Sequence, residues 1–311
     1  MKVIFLGTPE FAVPSLKYLI EHSNHDVLAV VTTPDKKQGR GRKIIPSPVA
    51  ITAEEYNLPV FKPDSFDNPD FLSDMRKFDP DIFVVVAFRI LPESLFTIPK
   101  YGTINLHASL LPKYRGAAPI QWSLINGENK TGVTTFLIDK GIDTGNILLQ
   151  EETDIQPNET AGELSGKLSD IGSILIDKTL TKLEQREIKP IIQPKDAYSK
   201  APKITQEITK INWNKSASEI VNLIRGLSPV PAAYTVYKDI KLKIFLANIS
   251  EFDIPDAEPG KIINADSKRG LIIKAKTGSV VILDVQREGK KRMKSTDLLR
   301  GMEINKDIIL A

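Results

Sequence analysis

The sequence predicts an α/β chain: a Rossmann-like, mostly parallel sheet in an N-terminal domain, followed by a smaller C-terminal β-barrel of OB-like form. Three observations predict it. In the first half, apolar β-branched runs alternate with helix-like stretches, which implies a parallel sheet. Near residue 190 this rhythm gives way to the proline-rich segment KPIIQPKDAYSKAPKIT. From residue 232 onward, short β-rich runs follow one another at the spacing of a small barrel.

The elements follow in order. Lys2–Leu6 is a continuous apolar run suited to a strand buried on both faces. Thr8 is placed to N-cap the next helix, with Pro9 at its first position and Glu10 in its first turn. Phe11, Leu16, Leu19 and Ile20 give that helix an apolar face. His22 and His25 flank its end, where C-terminal carbonyls are their expected partners. Val27–Thr32 and Asp81–Ala87 are further strands. Between them, PDKKQGRGRKIIPSP groups Lys36, Lys37, Arg40, Arg42 and Lys43 around two glycines. Such a stretch cannot bury itself and is expected to form a surface loop. A long helix is predicted from about Glu159 to Arg186, and a shorter one over Ser216–Arg225. YTVY, LKIFLA, GKIINA, GLIIKA and SVVILDVQ then supply the barrel strands. This divides the chain into a catalytic domain over 1–189, a linker over 190–205 and a barrel domain over 206–311.

Composition excludes several chemistries. The 311 residues include no cysteine, so disulfides, cysteine-ligated zinc, iron–sulfur clusters and thiol nucleophiles are out of reach. The three histidines, His22, His25 and His107, form no H-E-x-x-H motif, and no metal is expected. No apolar run approaches the ~18 residues of a membrane span, and Gly7 and Pro9 cut the N-terminal run too short for a signal peptide. A cytoplasmic location is expected. The formal net charge is only +3, but it is unevenly spread. Residues 206–311 carry 18 basic against 13 acidic side chains, and residues 1–205 carry 24 against 26.

The chemistry concentrates in two stretches. In YGTINLHASLLPKYRG (residues 101–116), Asn105 and His107 alternate with apolar residues on a predicted strand. They therefore share a face, about 6.6 Å apart at roughly 3.3 Å per residue. A buried parallel strand is apolar on both faces, and ligands bind beyond its carboxyl end. An edge pair with satisfied hydrogen bonds fits the spacing equally well. The following Ser109–Leu110–Leu111–Pro112 segment fits either the wall of a flat-ring site or a packed turn. In TGVTTFLIDKGIDTGNILL (131–149), Asp139 suits backbone capping. Asp143, between Gly141 and Gly145, is the better partner for His107. An amide, an imidazole and a carboxylate supply no nucleophile. With no G-x-S-x-G elbow, they suit attack by a nucleophile already on the substrate, with Asn105 and His107 stabilising an oxyanion. FLGTPEF lacks G-x-G-x-x-G, and GRGRK is no Walker sequence.

FLGTPEFAV (5–13), the GRGRK…PSPV loop (39–49), INLHASLLPKYRGAAPIQW (104–122) and GIDTGNIL (141–148) together carry a resemblance over nearly the whole chain. The sequence resembles the methionyl-tRNA formyltransferases, within the 10-formyltetrahydrofolate-dependent formyltransferases. The resemblance implies transfer of the formyl group of 10-formyltetrahydrofolate to the α-amino group of initiator methionyl-tRNA, by a monomer without a metal. It matches Asn105, His107 and Asp143 to the catalytic trio. Ser109, Leu110, Leu111 and Pro112 match the folate-contacting motif, and Arg40, Arg42 and Lys43 the loop that clamps tRNA. One departure stands out. Where the family shows A-Y-G-x-I-L-P, bordering the pterin pocket, this chain has Ala87–Phe88–Arg89–Ile90–Leu91–Pro92. The competing readings are a nucleotide-sugar amine formyltransferase with the same donor and, from a different class, a non-catalytic RNA-binding module with a degenerate folate pocket.

Overall fold

The computed structural model describes residues 1–38, 43–194, 196–266, 268–306 and 308–310. Arg40 and Arg42 lie outside the described residues.

Two compact units emerge. The first comprises residues 1–119, 130–153 and 165–201. Its strands are β1 (Lys2–Gly7), β2 (Asp26–Val31), β3 (Lys36–Gln38), β4 (Lys43–Ile45), β5 (Val60–Phe61), β6 (Ile82–Val86), β7 (Thr103–His107), β8 (Lys130–Leu137) and β9 (Ile147–Asp154). Seven of them form one sheet in the order β5-β2-β1-β6-β7-β8-β9, while β3 and β4 pair apart as an antiparallel ribbon. The pairs from β5 to β7 are all parallel, and β8 joins β7 antiparallel. This is the mostly parallel sheet that the alternation predicts. Every residue of β6 is buried, as both faces of such a sheet require.

Helices α1 (Val13–Glu21), α2 (Pro48–Glu55), α3 (Pro69–Lys77) and α4 (Glu93–Phe96) connect the strands. Ile4 and Leu6 of β1 and Phe83 and Val85 of β6 share one core with Phe71, Leu72 and Met75 of α3 and Leu95 of α4. On the opposite face, the long helix α6 (Ala161–Glu184) passes Leu106 so closely at Gly172 that no Cβ fits between them. Leu106 therefore points toward α6, and strand parity turns Asn105 and His107 the other way.

Two local expectations change. Thr8 does not cap a helix. A 3₁₀ turn over Glu10–Ala12 follows Pro9, α1 begins only at Val13, and the buried Thr8 hydroxyl has no hydrogen-bond partner. A proline right after the candidate cap and a second at position 14 tighten the entry into a 3₁₀ turn. His25 does not meet helix carbonyls. It is buried at the start of β2, with Nδ1 3.1 Å from the Met1 amino nitrogen and Nε2 3.9 Å from Asp177 Oδ1. Burial holds its imidazole below the usual histidine range. His22 is itself the C-cap of α1.

The second unit comprises residues 120–129, 154–164 and 202–311. It holds α5 (Pro119–Ile125) beyond its first residue, α7 (Ala217–Leu227), α8 (Ser295–Gly301) and a six-stranded antiparallel sheet. Its strands are β10 (Ala233–Tyr237), β11 (Ile240–Ile249), β12 (Ile262–Asp266), β13 (Gly270–Lys274), β14 (Ser279–Arg287) and β15 (Met293–Lys294). The order is β10-β11-β14-β13-β12, with β15 on β14. Ile220, Ile224 and Leu227 of α7 pack on Leu242, Ile244, Val280 and Ile282, following the i, i+4, i+7 spacing of an apolar helix face.

Candidate active site

β7 ends at the carboxyl edge of the parallel strands, where open α/β sheets bind ligands. Asn105 is half-buried and opposes Phe136 on β8, and His107 is buried opposite Thr134. Asn105 and Asp143 line one cleft, together with Val85, Phe88, Leu91, Phe136 and Ile138. Arg89, Asp139 and Lys140 also border this cleft, so an apolar wall stands beside polar and charged groups, a mixed composition suited to a flat heteroaromatic ligand that carries polar substituents. Among the described residues, no hydrogen bond occupies the Asn105 side-chain amide.

His107 is held from three sides. Its Nε2 lies 2.8 Å from the Tyr114 carbonyl oxygen. A carbonyl only accepts, so Nε2 carries a proton and donates it there. Nδ1 is the ring nitrogen left facing Asp143, and it lies 3.7 Å from Asp143 Oδ2. That separation exceeds a direct hydrogen bond. The ring also meets Phe136 edge-on, with centroids 6.5 Å apart. Asp143 is in turn fixed by the Gly116 N–H, which donates to Oδ2 at 2.8 Å. Tyr114 and Asp143 both adopt left-handed backbone, with φ of 61° and 54°. Strained conformations of this kind persist where the surroundings over-determine them. Asp139 caps its own turn: its Oδ1 accepts from the Gly141 N–H at 2.9 Å and from the Thr144 hydroxyl at 2.6 Å.

The residues singled out in the sequence do not all gather here. The Ser109–Pro112 turn lies outside the lining of the cleft. Its polar groups are spent internally. The Ser109 hydroxyl donates to the Lys113 carbonyl at 2.7 Å, and the Ser109 carbonyl accepts from Thr134 Oγ1 at 2.6 Å. Leu111 packs on Phe136 and Ile147, so the turn supports the wall behind Asn105 and His107. At the departure from the family pattern, the Arg89 guanidinium sits 4.2 Å from the Phe66 ring centroid and donates to the Pro63 carbonyl at 2.9 Å. Ile90 is 78% exposed at the rim. Of Lys43, only its place in β4 is described. Among the described residues, no group of three or more His, Cys, Asp or Glu side chains is arranged to hold a metal ion. None of the described helices is long and apolar enough to cross a membrane.

The proline-rich segment contributes more than its composition suggests. Ile191 pairs with Ile147 through two backbone hydrogen bonds of 2.8 Å. The Ser199 hydroxyl accepts from the Tyr114 N–H at 2.8 Å, and the Ser199 carbonyl accepts from the Arg115 N–H at 2.9 Å. Gln193, 4% exposed, reaches the backbone of Asp143. Nothing in the sequence marks this glutamine.

Comparison with known proteins agrees with this architecture at every level. Residues 1–180 match the model of the formyl transferase family, and residues 203–303 match that of the formyl transferase C-terminal domain. The chain is 45% identical over 312 residues to a methionyl-tRNA formyltransferase of Caldanaerobacter subterraneus subsp. tengcongensis, covering all of both proteins. It is 46% identical to one of Clostridium acetobutylicum, covering 100% of this chain and 99% of that protein. Among solved structures, the fold resembles HypX from Aquifex aeolicus in complex with tetrahydrofolic acid. There the TM-score is 0.65 at 16% identity, over 96% of this chain and 47% of that longer one. It also resembles WlaRD, a sugar 3N-formyl transferase, with a TM-score of 0.65 at 23% identity over 94% of this chain and 99% of that one. The sheet edge, the two matched domains and full-length identity above 40% converge: the chain belongs to the methionyl-tRNA formyltransferase family.

Proposed function

We propose that this chain transfers the formyl group of 10-formyltetrahydrofolate to the α-amino group of methionyl-initiator tRNA, with Asn105, His107 and Asp143 as its catalytic groups. The observation that carries the reading is the meeting of β7 with the Asp143 turn: Asn105 and Asp143 line one cleft beside apolar side chains, and His107 Nδ1 stands 3.7 Å from the carboxylate. The donor supplies an activated formyl carbon, and the acceptor brings its own amine nucleophile. The protein therefore has an oxyanion to stabilise and a proton to move. The unspent amide N–H of Asn105 serves the oxyanion. His107, anchored through Nε2, serves the oxyanion through Nδ1–H when the ring is protonated. As the C–N bond to the amine forms and the bond to the donor nitrogen breaks, the proton lost by the amine passes to the departing tetrahydrofolate nitrogen, with Asp143 holding the imidazole charge nearby. Val85, Phe88, Leu91, Phe136 and Ile138 would hold the flat pterin, and the Ser109–Pro112 turn would brace it from behind.

The same reading assigns tRNA contact to Arg40, Arg42 and Lys43. It divides the chain into a catalytic domain (1–189), a linker (190–205) and a tRNA-binding domain (206–311), and has the enzyme act as a cytoplasmic monomer with no metal role. Full-length identity to methionyl-tRNA formyltransferases, against 23% or less to the sugar formyltransferases, favours charged tRNA over a sugar nucleotide as acceptor. The test is an acceptor panel with labelled formyl donor: methionyl-initiator tRNA, an amino-sugar nucleotide and glycinamide ribonucleotide. Label is expected on the tRNA. Asn105→Ala, His107→Ala and Asp143→Ala should each lower kcat by about 100-fold or more. Near-normal turnover in His107→Ala would overturn the assignment.

A further inference from the structure

Gln193 joins the two turns that frame the carboxylate–imidazole contact. Its Oε1 accepts from Arg115 Nε at 3.1 Å and from Arg115 Nη2 at 2.6 Å. Its Nε2 donates to the Asp143 carbonyl at 2.9 Å and to the Gly145 carbonyl at 2.7 Å. Every hydrogen-bonding position of this amide is in use, and its orientation is unambiguous. A guanidinium only donates and a carbonyl only accepts, so a flipped amide would oppose both partners. The Arg115 side is charge-assisted and forked, the stronger kind of hydrogen bond. The residues on either side of Arg115 complete the frame. The Tyr114 carbonyl takes the His107 Nε2 proton, and the Gly116 N–H holds Asp143 Oδ2. One buried amide thus ties the turn that anchors the imidazole to the turn that presents the carboxylate. The backbone pairing of Ile191 with Ile147 keeps that amide in place.

We infer that Gln193 is a positioning residue for the formyl transfer, setting the distance between Asp143 and His107 through Arg115 on one side and the Asp143–Gly145 backbone on the other. The inference rests on the proposed catalytic role of Asp143. Gln193 touches neither substrate nor reacting atoms in this scheme, and it acts only through the turns it joins. Its loss leaves the cleft intact but lets the carboxylate drift. The effect should fall on kcat rather than on substrate binding.

The experiment uses the full chain and two variants, each alone and combined with Asp143→Ala. Gln193→Met keeps the length and removes all four hydrogen bonds. Gln193→Glu keeps an acceptor for Arg115 and removes the donors toward the two carbonyls, so it tests the Asp143 arm even if the first variant fails to fold. Steady-state assays give kcat and the KM for donor and for charged tRNA. Both variants should lower kcat by about 10- to 100-fold, with both KM values close to wild type. In the Asp143→Ala background neither should lower turnover further. Wild-type kcat in Gln193→Glu overturns the inference, as does a rise in KM with kcat unchanged, or an equal further loss in the Asp143→Ala background. If Asp143→Ala itself turns over normally, the underlying site reading fails together with the inference. If Asp143→Ala is inactive while the Gln193 variants are fully active, the inference alone fails.

Discussion

Gly145 is buried two residues after Asp143, and a Cβ built on it would collide with the Leu137 carbonyl oxygen. The turn carrying Asp143 can therefore lie against the end of β8 only because this position has no side chain. Gly145→Ala would push the 139–146 turn outward and carry Asp143 away from His107. A displacement near 1 Å costs about 100-fold in rate, so steady-state kinetics should show kcat falling on that scale, accompanied by a lower Tm. Unchanged kcat would mean that the turn re-forms around the methyl group. Asn105, His107 and Asp143, the proposed catalytic groups, stand out in the sequence because polar residues on a buried strand and a carboxylate between glycines break the patterns around them. Gln193 does not. It lies in a proline-rich run that composition describes as a linker, and its hydrogen-bond partners lie 50 and 78 residues away in sequence. The same limit hid the Tyr114 carbonyl, since a backbone acceptor leaves no trace in residue identity.

Among the elements, the buried strands and long helices were legible because the hydrophobic period alone specifies them. Helix entries were less legible, because a cap depends on which partners its side chain finds. The helix expected over Ser216–Arg225 starts on a fully partnered cap. The Ser216 side chain accepts from the Glu219 N–H, and Glu219 answers to the Ser216 N–H at 2.9 Å, a complete capping box at the start of α7. At Thr8 no such cap forms, because Pro9 and Pro14 redirect the chain into a 3₁₀ turn and leave the hydroxyl unpaired. The backbone and hydroxyl of Ser216 pull the Glu219 carboxyl down to about 2, from a usual 4.5. A depressed carboxylate contributes stability that is present above its usual value and lost as pH falls through the lowered one. Ser216→Ala should therefore lower stability at neutral pH, seen as a lower urea midpoint with unchanged slope. The gap from wild type should narrow as the melts are repeated from pH 4.5 toward about 2. A gap independent of pH would show that the carboxylate plays no part in the cap.

Across the whole molecule, charge as well as fold separates the two halves. Residues 206–311 have five more basic than acidic side chains, while residues 1–205 have two more acidic than basic, although they contain the cluster from Lys36 to Lys43. A polyanionic acceptor would be attracted by the second half and by that one cluster, and repelled by most of the first half. Binding of this kind is driven by counterion release. The logarithm of affinity then falls by roughly 0.7–0.9 for each phosphate neutralised per decade of salt. The small folate donor, which the proposed function places in the cleft beside Asn105, should respond far less. Measured from about 50 to about 200 mM salt, KM for charged tRNA should rise steeply while KM for the donor stays nearly flat. Replacing Arg40, Arg42 and Lys43 together with alanine should reduce the tRNA slope by about 2, one phosphate contact for each lost cation, and leave the donor KM unchanged. A triple variant with the wild-type slope would remove the tRNA contact from this cluster and assign it to the basic surface of the second half alone.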